Sequence, residues 1–200
     1  MIQFHDNHGA HVQLSEDKTS VCRNKSFANA VLFTRQPLSI QETFIFEITE
    51  QEVGWSGHVR CGITAHNPSK TRVPPYLLPD LAQMGKTWVF AVKPNPAKPL
   101  GDEQIRDDGS HNYQLLVGEK ENNPIFCGEK ARENPCLLPT DVGSRIGMKV
   151  TRSGDLYFYV NGRKFGPCAS SLPVGSHLYA AVDIYGTTKA IKIIQSGGKT

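Results

Sequence analysis

Short stretches in which every second residue is apolar recur along most of the 200-residue chain. In residues 43–50, TFIFEITE, the side chains of Phe44, Phe46 and Ile48 fall on one side of an extended backbone, whereas Glu47 falls on the other. Successive side chains of a β-strand point to opposite faces, so a period of two is typical of a half-buried strand. No comparable stretch shows a helical period, and the chain is therefore predicted to be all-β.

Further strands are predicted wherever the same pattern returns. They are residues 57–65, 86–93, 113–117, 145–151, 155–160, 178–184 and 189–194. Turn residues separate them, most clearly Asn161-Gly162, which suits a two-residue hairpin loop with positive φ at both positions. Many short strands joined by tight turns are typical of two packed antiparallel sheets. The sequence therefore predicts a β-sandwich of the jelly-roll type.

One region interrupts this rhythm. From about residue 94 to residue 140 the chain is rich in Pro, Gly, Asn and charged residues, and such long irregular connections are usually functional or mobile. Neither flank could bury its own sheet face alone. We therefore expect one domain over residues 1–195 with a long insertion at about 94–140, followed by a flexible tail at 196–200.

Charge and composition exclude several function classes. The net charge is only +3, and no window holds the five or six like charges of a nucleic-acid or membrane-binding arm. No leader, no membrane span, no phosphate-binding loop and no nucleotide fingerprint appears, so no cofactor is predicted. The cysteines are odd in number and lack a C-x-x-C pair, which predicts reduced thiols in a cytoplasmic protein. They are Cys22, Cys61, Cys127, Cys136 and Cys168.

Two groups of side chains offer other chemistries. The carboxylates of Glu47, Glu50 and Glu52 could serve a glycan-binding or glycoside-hydrolysing jelly roll, which uses two carboxylates facing one sugar. Nothing nearby looks set to raise the pKa of one of them, so a solvated strand face is favoured. A second set of residues could hold a metal, although an ordinary strand edge is favoured and no metal site is predicted. This set is His5, His8 and His11.

Scattered basic residues offer a further alternative, a patch that binds phosphate or a phosphoinositide headgroup at a membrane. Isolated surface charges more often serve solubility, so this interpretation is the weaker one. The basic residues concerned are Arg23, Arg60, Arg72 and Lys189.

The stretch GWSG, residues 54–57, places Trp55 between two glycines just before a predicted strand. Glycine permits backbone turns that other residues resist, so a bend is predicted that holds the indole at the mouth of the strand. A lid over the core is the favoured role for such an aromatic residue. Loops at strand ends are nevertheless common binding surfaces, which keeps Trp55 and Tyr185, in the loop 185–188, as candidate contacts.

The motifs taken together resemble the neuralized homology repeat. The shared residues are Phe4-His5, His8-Gly9, Phe33, Pro37-Leu38, Gly54-Trp55-Ser56-Gly57, Cys61-Gly62-Ile63-Thr64, Thr87-Trp88, Val142-Gly143, Gly154, Leu156, Asn161-Gly162 and Val182-Asp183-Ile184-Tyr185-Gly186. The segment Leu78-Pro79-Asp80-Leu81, leading to Thr87-Trp88 and a long insertion, is most similar to the adaptor-type members of that family.

The resemblance implies a SPRY-like sandwich that captures substrate proteins or peptides through loops at one end, without catalysis. In the adaptor-type members a SOCS box recruits elongins and a cullin ubiquitin ligase. The 200 residues contain neither a SOCS box nor RING cysteines, so elongin and cullin are expected as partners only if a SOCS box lies beyond them. The predicted partner contacts are Arg23, Trp55, His58, Arg72, Tyr76, Tyr185 and Thr187.

Overall fold

The computed structural model of the chain describes residues 1–94, 104–107, 113–117 and 137–195. Most of the predicted insertion and the whole 196–200 tail therefore lie outside the described residues. Within these ranges the chain forms β-strands and one short helical turn, Leu77–Leu81. The strands are β1 Val12–Leu14, β2 Ser20–Arg23, β3 Val31–Phe33, β4 Thr43–Gln51, β5 Arg60–Thr64, β6 Thr87–Pro94, β7 Gln104–Asp107, β8 Tyr113–Val117, β9 Arg145–Val150, β10 Leu156–Val160, β11 Arg163–Ala169, β12 Tyr179–Asp183 and β13 Thr188–Ile194.

The strands form two sheets. The first has seven strands in the order β1-β2-β13-β4-β9-β10-β11, and the second has six in the order β3-β12-β5-β6-β8-β7. Neighbouring strands run antiparallel, apart from β6 and β8, which are parallel. Both sheets contain strands from the two halves of the sequence, since β13 lies between β2 and β4, and β12 lies between β3 and β5.

The main core lies between the two sheets. Phe44, Phe46 and Ile48 of β4 are buried in it, as the alternation of residues 43–50 predicts. Phe90 of β6 meets Phe158 of β10 edge to face, with 5.3 Å between the ring centroids. Such aromatic contacts between facing sheets add to the free energy of burial. The prediction of an all-β sandwich is confirmed.

A second apolar cluster covers the outer face of the six-stranded sheet. Leu77, Leu78 and Leu81 of the helical turn pack there against Phe33 of β3 and Val89 of β6. The sequence pattern does not predict this cluster, because residues 77–81 are too short to carry a helical period. The turn fixes the position of Leu78 and Pro79 beside one end of the sheet.

The hairpin between β10 and β11 has the predicted two-residue loop. Val160 pairs with Arg163, and the residues between them have positive φ, 48° at Asn161 and 86° at Gly162. The Asn161 carboxamide also accepts a hydrogen bond from the Arg145 N–H at 2.8 Å. The loop is therefore held both by its backbone geometry and by a side-chain contact to β9.

Gly162→Ala is expected to destabilise the fold by about 1 kcal/mol, because alanine is strained at positive φ. Asn161→Ala should cost at least as much, since it also removes the bond to Arg145. Thermal unfolding followed by circular dichroism measures both changes. Gly175→Ala is the matched control, because its added methyl group meets open space and its φ lies outside the left-handed region. Equal melting temperatures for all three variants would contradict the argument.

Candidate partner-binding site

Two loops are joined at one end of the six-stranded sheet. One loop, residues 52–59, leads into β5, and the other, residues 184–187, follows β12. The Thr187 N–H donates to the Gly57 carbonyl at 3.0 Å, and the Glu52 N–H donates to the Thr187 carbonyl at 2.9 Å. These backbone bonds make the two loops one connected surface at the strand ends.

Aromatic side chains gather on this surface. The ring of Phe27 lies 5.1 Å from that of Trp55 and 5.7 Å from that of Tyr185, and Tyr76 lies 6.0 Å from Tyr185. We call these four residues the aromatic cluster. The Arg60 guanidinium stacks over the Tyr185 ring at 3.8 Å, a cation–π contact that fixes the ring from below. Three of the predicted contacts, Trp55, Tyr76 and Tyr185, are thus brought together.

The glycines around Trp55 have separate roles. Gly54 and Gly57 both adopt positive φ, 97° and 82°, so the predicted bend is present. A methyl group at Gly57 would lie 2.5 Å from Cε1 of Tyr185, so this position must lack a side chain for the ring to pack. The Trp55 indole N–H donates to the Glu52 carboxylate at 3.0 Å, and 40% of the residue is exposed. Trp55 therefore lies on the rim and does not close the core.

A groove of about 260 Å³ runs beside the aromatic cluster. Its walls include Leu78 and Pro79 on one side and Tyr185 on another. The Arg60 guanidinium donates to the Leu78 carbonyl at 2.7 Å, which joins the sheet to the helical turn. The described lining contains three basic residues and no acidic one, so the groove is suited to polar or acidic groups. These basic residues are His58, Arg60 and Lys93.

His58 and Thr187 form a hydrogen-bonded pair at the groove. The Thr187 hydroxyl donates to the Gly57 carbonyl at 3.0 Å and lies 2.7 Å from Nδ1 of His58. Since the hydroxyl proton is used, His58 Nδ1–H is the donor to Thr187. Burial lowers the pKa of His58, and Lys93 lowers it further against the opposing charge of Asp141. His58 is therefore neutral at physiological pH, with Nε2 as an acceptor.

Arg23 does not reach the surface. Only 1% of Arg23 is exposed, and its guanidinium donates to the carbonyls of Ile184 at 3.0 Å and Gly186 at 2.5 Å. It also forms an ion pair with Glu52 at 3.3 Å. A direct contact between Arg23 and a partner does not fit this position, because every donor group faces the protein. Arg23 instead supports the 184–187 loop from beneath.

Arg72 lies apart from the other predicted contacts. Its side chain is exposed on the loop that precedes the helical turn, and it makes no ion pair with the described residues. No observed contact links it to the aromatic cluster. Arg72 is thus available to a partner, but only to one that extends beyond the groove.

Each of the three glutamates of the glycan alternative is engaged with another side chain. Glu47 pairs with Arg145 at 2.8 Å, and Glu50 pairs with Lys189 at 2.6 Å. The bond from Trp55 holds the pKa of Glu52 below its usual range, helped by Arg23. A general acid requires a raised pKa, and Glu52 has the opposite shift.

The basic residues of the alternative anion-binding patch also have separate environments. Arg23 is buried, Arg60 stacks on Tyr185, and Lys189 is paired with Glu50. The histidines at positions 5, 8 and 11 also have separate partners, namely Ser69 Oγ and the carbonyls of Gly9 and Ala28. Over the residues that the structure describes, no group of three potential metal ligands occurs, and no helix is long and apolar enough to cross a membrane.

Comparison with known proteins agrees with this architecture. The profile of the Neuralized family matches residues 4–195. The chain belongs to the Neuralized family. Human neuralized-like protein 2 is 34% identical over 225 residues, which cover 96% of this chain and 77% of that protein. The human E3 ubiquitin-protein ligase NEURL3 is 27% identical over 197 residues, covering 96% of this chain and 59% of the ligase.

Solved structures show the same fold. The crystal structure of the Drosophila melanogaster neuralized NHR1 domain has a TM-score of 0.71 at 22% identity, with 98% of each chain covered. The TRIM65 PSpry domain has a TM-score of 0.54 at 12% identity over 98% of this chain and 92% of that one. The predicted Neuralized resemblance and SPRY-like sandwich are confirmed. Sequence reasoning missed Phe27 and the stacking role of Arg60, since neither lies within a motif that signals a site.

Proposed function

We propose that this Neuralized domain recognises a peptide or folded protein substrate through the aromatic cluster and its groove. The observation that carries the proposal is the exposed ring of Trp55 beside a groove lined by basic but not acidic residues. Tryptophan, tyrosine and arginine dominate the energetics of protein interfaces. Trp55 and Tyr185 would supply apolar contact, and Arg60 with Lys93 would select polar or acidic groups of the substrate.

In this proposal, substrate recognition by the domain serves protein ubiquitination. This role is supported by the similarity to NEURL3, whose name is that of an E3 ubiquitin-protein ligase. In the finer form of the proposal, the domain delivers its substrate to a cullin-type ligase through elongins, provided that a SOCS box accompanies it. The domain itself would act by binding and not by catalysis. We place this function in the cytoplasm, in keeping with Cys22, Cys61 and Cys168, which are not in disulfides.

Trp55→Ala is expected to weaken substrate binding by tenfold or more, roughly the effect of losing one interface hot spot. The melting temperature should fall only slightly, because the residue loses a partly exposed contact to Phe27. Arg72→Ala should leave the melting temperature unchanged and reduce binding only of substrates that extend past the groove. The measurement has two stages, affinity capture with mass spectrometry and then calorimetric titration with peptides from the captured protein.

Lys149→Ala, on the outer face of the seven-stranded sheet, is the matched control for capture. Proteins that bind the wild type and this control, but not Trp55→Ala, are substrates of the proposed site. Tyr185→Ala is a less informative variant, because its ring packs on Phe27, Tyr76 and Arg60 and its loss would disturb the fold. Undiminished binding by a stable Trp55→Ala variant would overturn the proposal.

A further inference from the structure

A second pocket lies at the end of β5, β6 and β12 that is opposite to the aromatic cluster. Arg60 pairs with Ala91 and Asp183 at the aromatic end, whereas Thr64 pairs with Thr87 and Tyr179 at the far end. Arg60 and Thr64 lie four positions apart along the strand, or roughly 13 Å. Loops following β5, preceding β6 and preceding β12 surround a pocket of about 550 Å³ there. We call it the far-end pocket, and its main lining residues are Asn67, Lys86, Trp88, Pro173, His177 and Tyr179.

The far-end pocket presents hydrogen-bond donors that lack anionic partners among the described residues. Lys86 is exposed and makes no ion pair within the described residues. His177 is also exposed, and its ring has no hydrogen bond to the described part of the chain. The Asn67 Oδ1 accepts the Ser69 N–H at 2.9 Å, which leaves the amide nitrogen as the donor. No acidic residue is among the lining. This arrangement complements a carboxylate.

The backbone displays Lys86 in an unusual conformation. Its φ is 51°, directly after Gly85 with φ of 73°, although lysine is disfavoured in the left-handed region. The Lys86 carbonyl accepts the Ala65 N–H at 2.9 Å, and His66 Nε2 contacts the Gly85 carbonyl at 2.7 Å. Residues of the neighbouring loop therefore hold the turn in place. Glycine would fit this position with less strain, but it would bring no side chain to the pocket.

We propose that the far-end pocket binds an acidic peptide segment, with an Asp or Glu carboxylate at Lys86 and the adjacent apolar side chain against Trp88. The volume lies within the range of pockets that enclose a ligand of a few side chains. Trp88 is partly exposed in the lining and also packs against the main core, while Pro173 forms another wall. The site is separate from the aromatic cluster, so the domain is able to hold two segments of one substrate and gain affinity from both.

The two tryptophans provide a separate signal for each site. Trp55 lies at the aromatic cluster and Trp88 at the far-end pocket, and the chain has no third tryptophan. Their indole N–H signals in an ¹⁵N-labelled protein are assigned with Trp55→Phe. The probes are acetylated and amidated heptapeptides with a central Asp-Leu or Glu-Phe, matched by peptides with Asn-Leu or Gln-Phe. We expect the acidic peptides to shift the Trp88 signal saturably, and the neutral ones to bind about tenfold more weakly.

Variants of Lys86 complete the test. Lys86→Gln should weaken binding about tenfold and Lys86→Arg should retain it, with melting temperatures near that of the wild type. The proposal for the far-end pocket is wrong if the acidic peptides do not shift the Trp88 signal, or if the neutral peptides shift it equally. An equal response to a single-stranded oligonucleotide also overturns it, because that response would indicate unselective anion binding. The proposed function is judged separately, by substrate binding at Trp55.

Discussion

Replacing Arg23 with methionine is expected to lower the free energy of unfolding by about 3 kcal/mol or more. Methionine fills a similar volume but donates no hydrogen bond, so the carbonyls of Ile184 and Gly186 lose their buried donors. Each buried acceptor left unpaired costs about 1–3 kcal/mol. Urea unfolding monitored by far-ultraviolet circular dichroism measures the change, provided that the slope of the transition matches that of the wild type.

Glu52→Gln is the control for the ion pair alone. The Glu52 carboxylate is exposed, so its charge should contribute far less than the buried bonds of Arg23. A loss in Glu52→Gln as large as that in Arg23→Met would show that the ion pair, and not the carbonyl bonds, carries the effect. Arg23→Lys should fall between the two, since an ammonium offers donors but not the planar fork of a guanidinium.

Arg23→Met also tests whether the buried guanidinium positions the loop of the proposed binding surface. Arg23 supports residues 184–187, which carry Tyr185 and Thr187 of the proposed binding surface. Arg23→Met should therefore weaken substrate binding even at a temperature where the protein remains folded. This loss would arise from displaced loops and not from a lost contact, because the side chain is buried.

Sequence periodicity predicted most of the long strands, although not β11, and it failed for the short ones. In β4, Phe44, Phe46 and Ile48 stand at every second position, so the sequence assigned them to the correct face. The strands β1 and β3 have three residues each, which is too few to establish a period. Their position depends instead on pairing with distant partners, such as β3 with β12. Long-range pairing of this kind leaves no local signal.

The binding surface was predicted only in part, for a similar reason. Trp55 and Tyr185 were found because aromatic residues beside glycines at strand ends are a local feature. Phe27 joins them from a distant loop, and Arg23 is buried although isolated arginines are normally exposed. Whether an arginine is exposed or buried depends on which carbonyls the fold places around it. Residue type and spacing do not contain that information.

Asp183 is a buried carboxyl group beneath the binding surface. Its Oδ2 accepts the Leu77 N–H at 3.0 Å, whereas Oδ1 has no hydrogen-bond partner in the described structure. Burial raises its pKa to about 6, against the lowering effects of the Leu77 bond and of Arg60 and Arg23, while Asp80 adds to the rise. Burial therefore destabilises the ionised carboxylate of Asp183, although its bond from Leu77 holds the helical turn that forms one wall of the groove.

The raised pKa of Asp183 predicts a loss of stability as pH increases. The unfolded chain ionises this residue near pH 4, and the folded chain near pH 6, so the folded state binds more protons between these values. The stabilisation is complete below about pH 4 and is lost as pH rises through about 6. Asp183→Asn is neutral throughout and keeps an acceptor for Leu77. From about pH 4.5 to about pH 7.5, the variant should gain about 2 kcal/mol relative to the wild type.

Urea unfolding of both proteins across this pH range measures the difference, and Asp155→Asn supplies a control whose difference from the wild type should stay nearly constant over the range. A bond from the Ser153 hydroxyl lowers the pKa of Asp155, and Ser170 adds to the effect. Its stabilisation is therefore present above the pKa of the unfolded chain and is lost as pH falls. Parallel pH profiles for the wild type and Asp183→Asn would contradict the argument, because they would place the ionised carboxylate in a solvated environment. Divergence in the expected direction would show that the fold retains a charge at Asp183 that costs it stability near neutral pH.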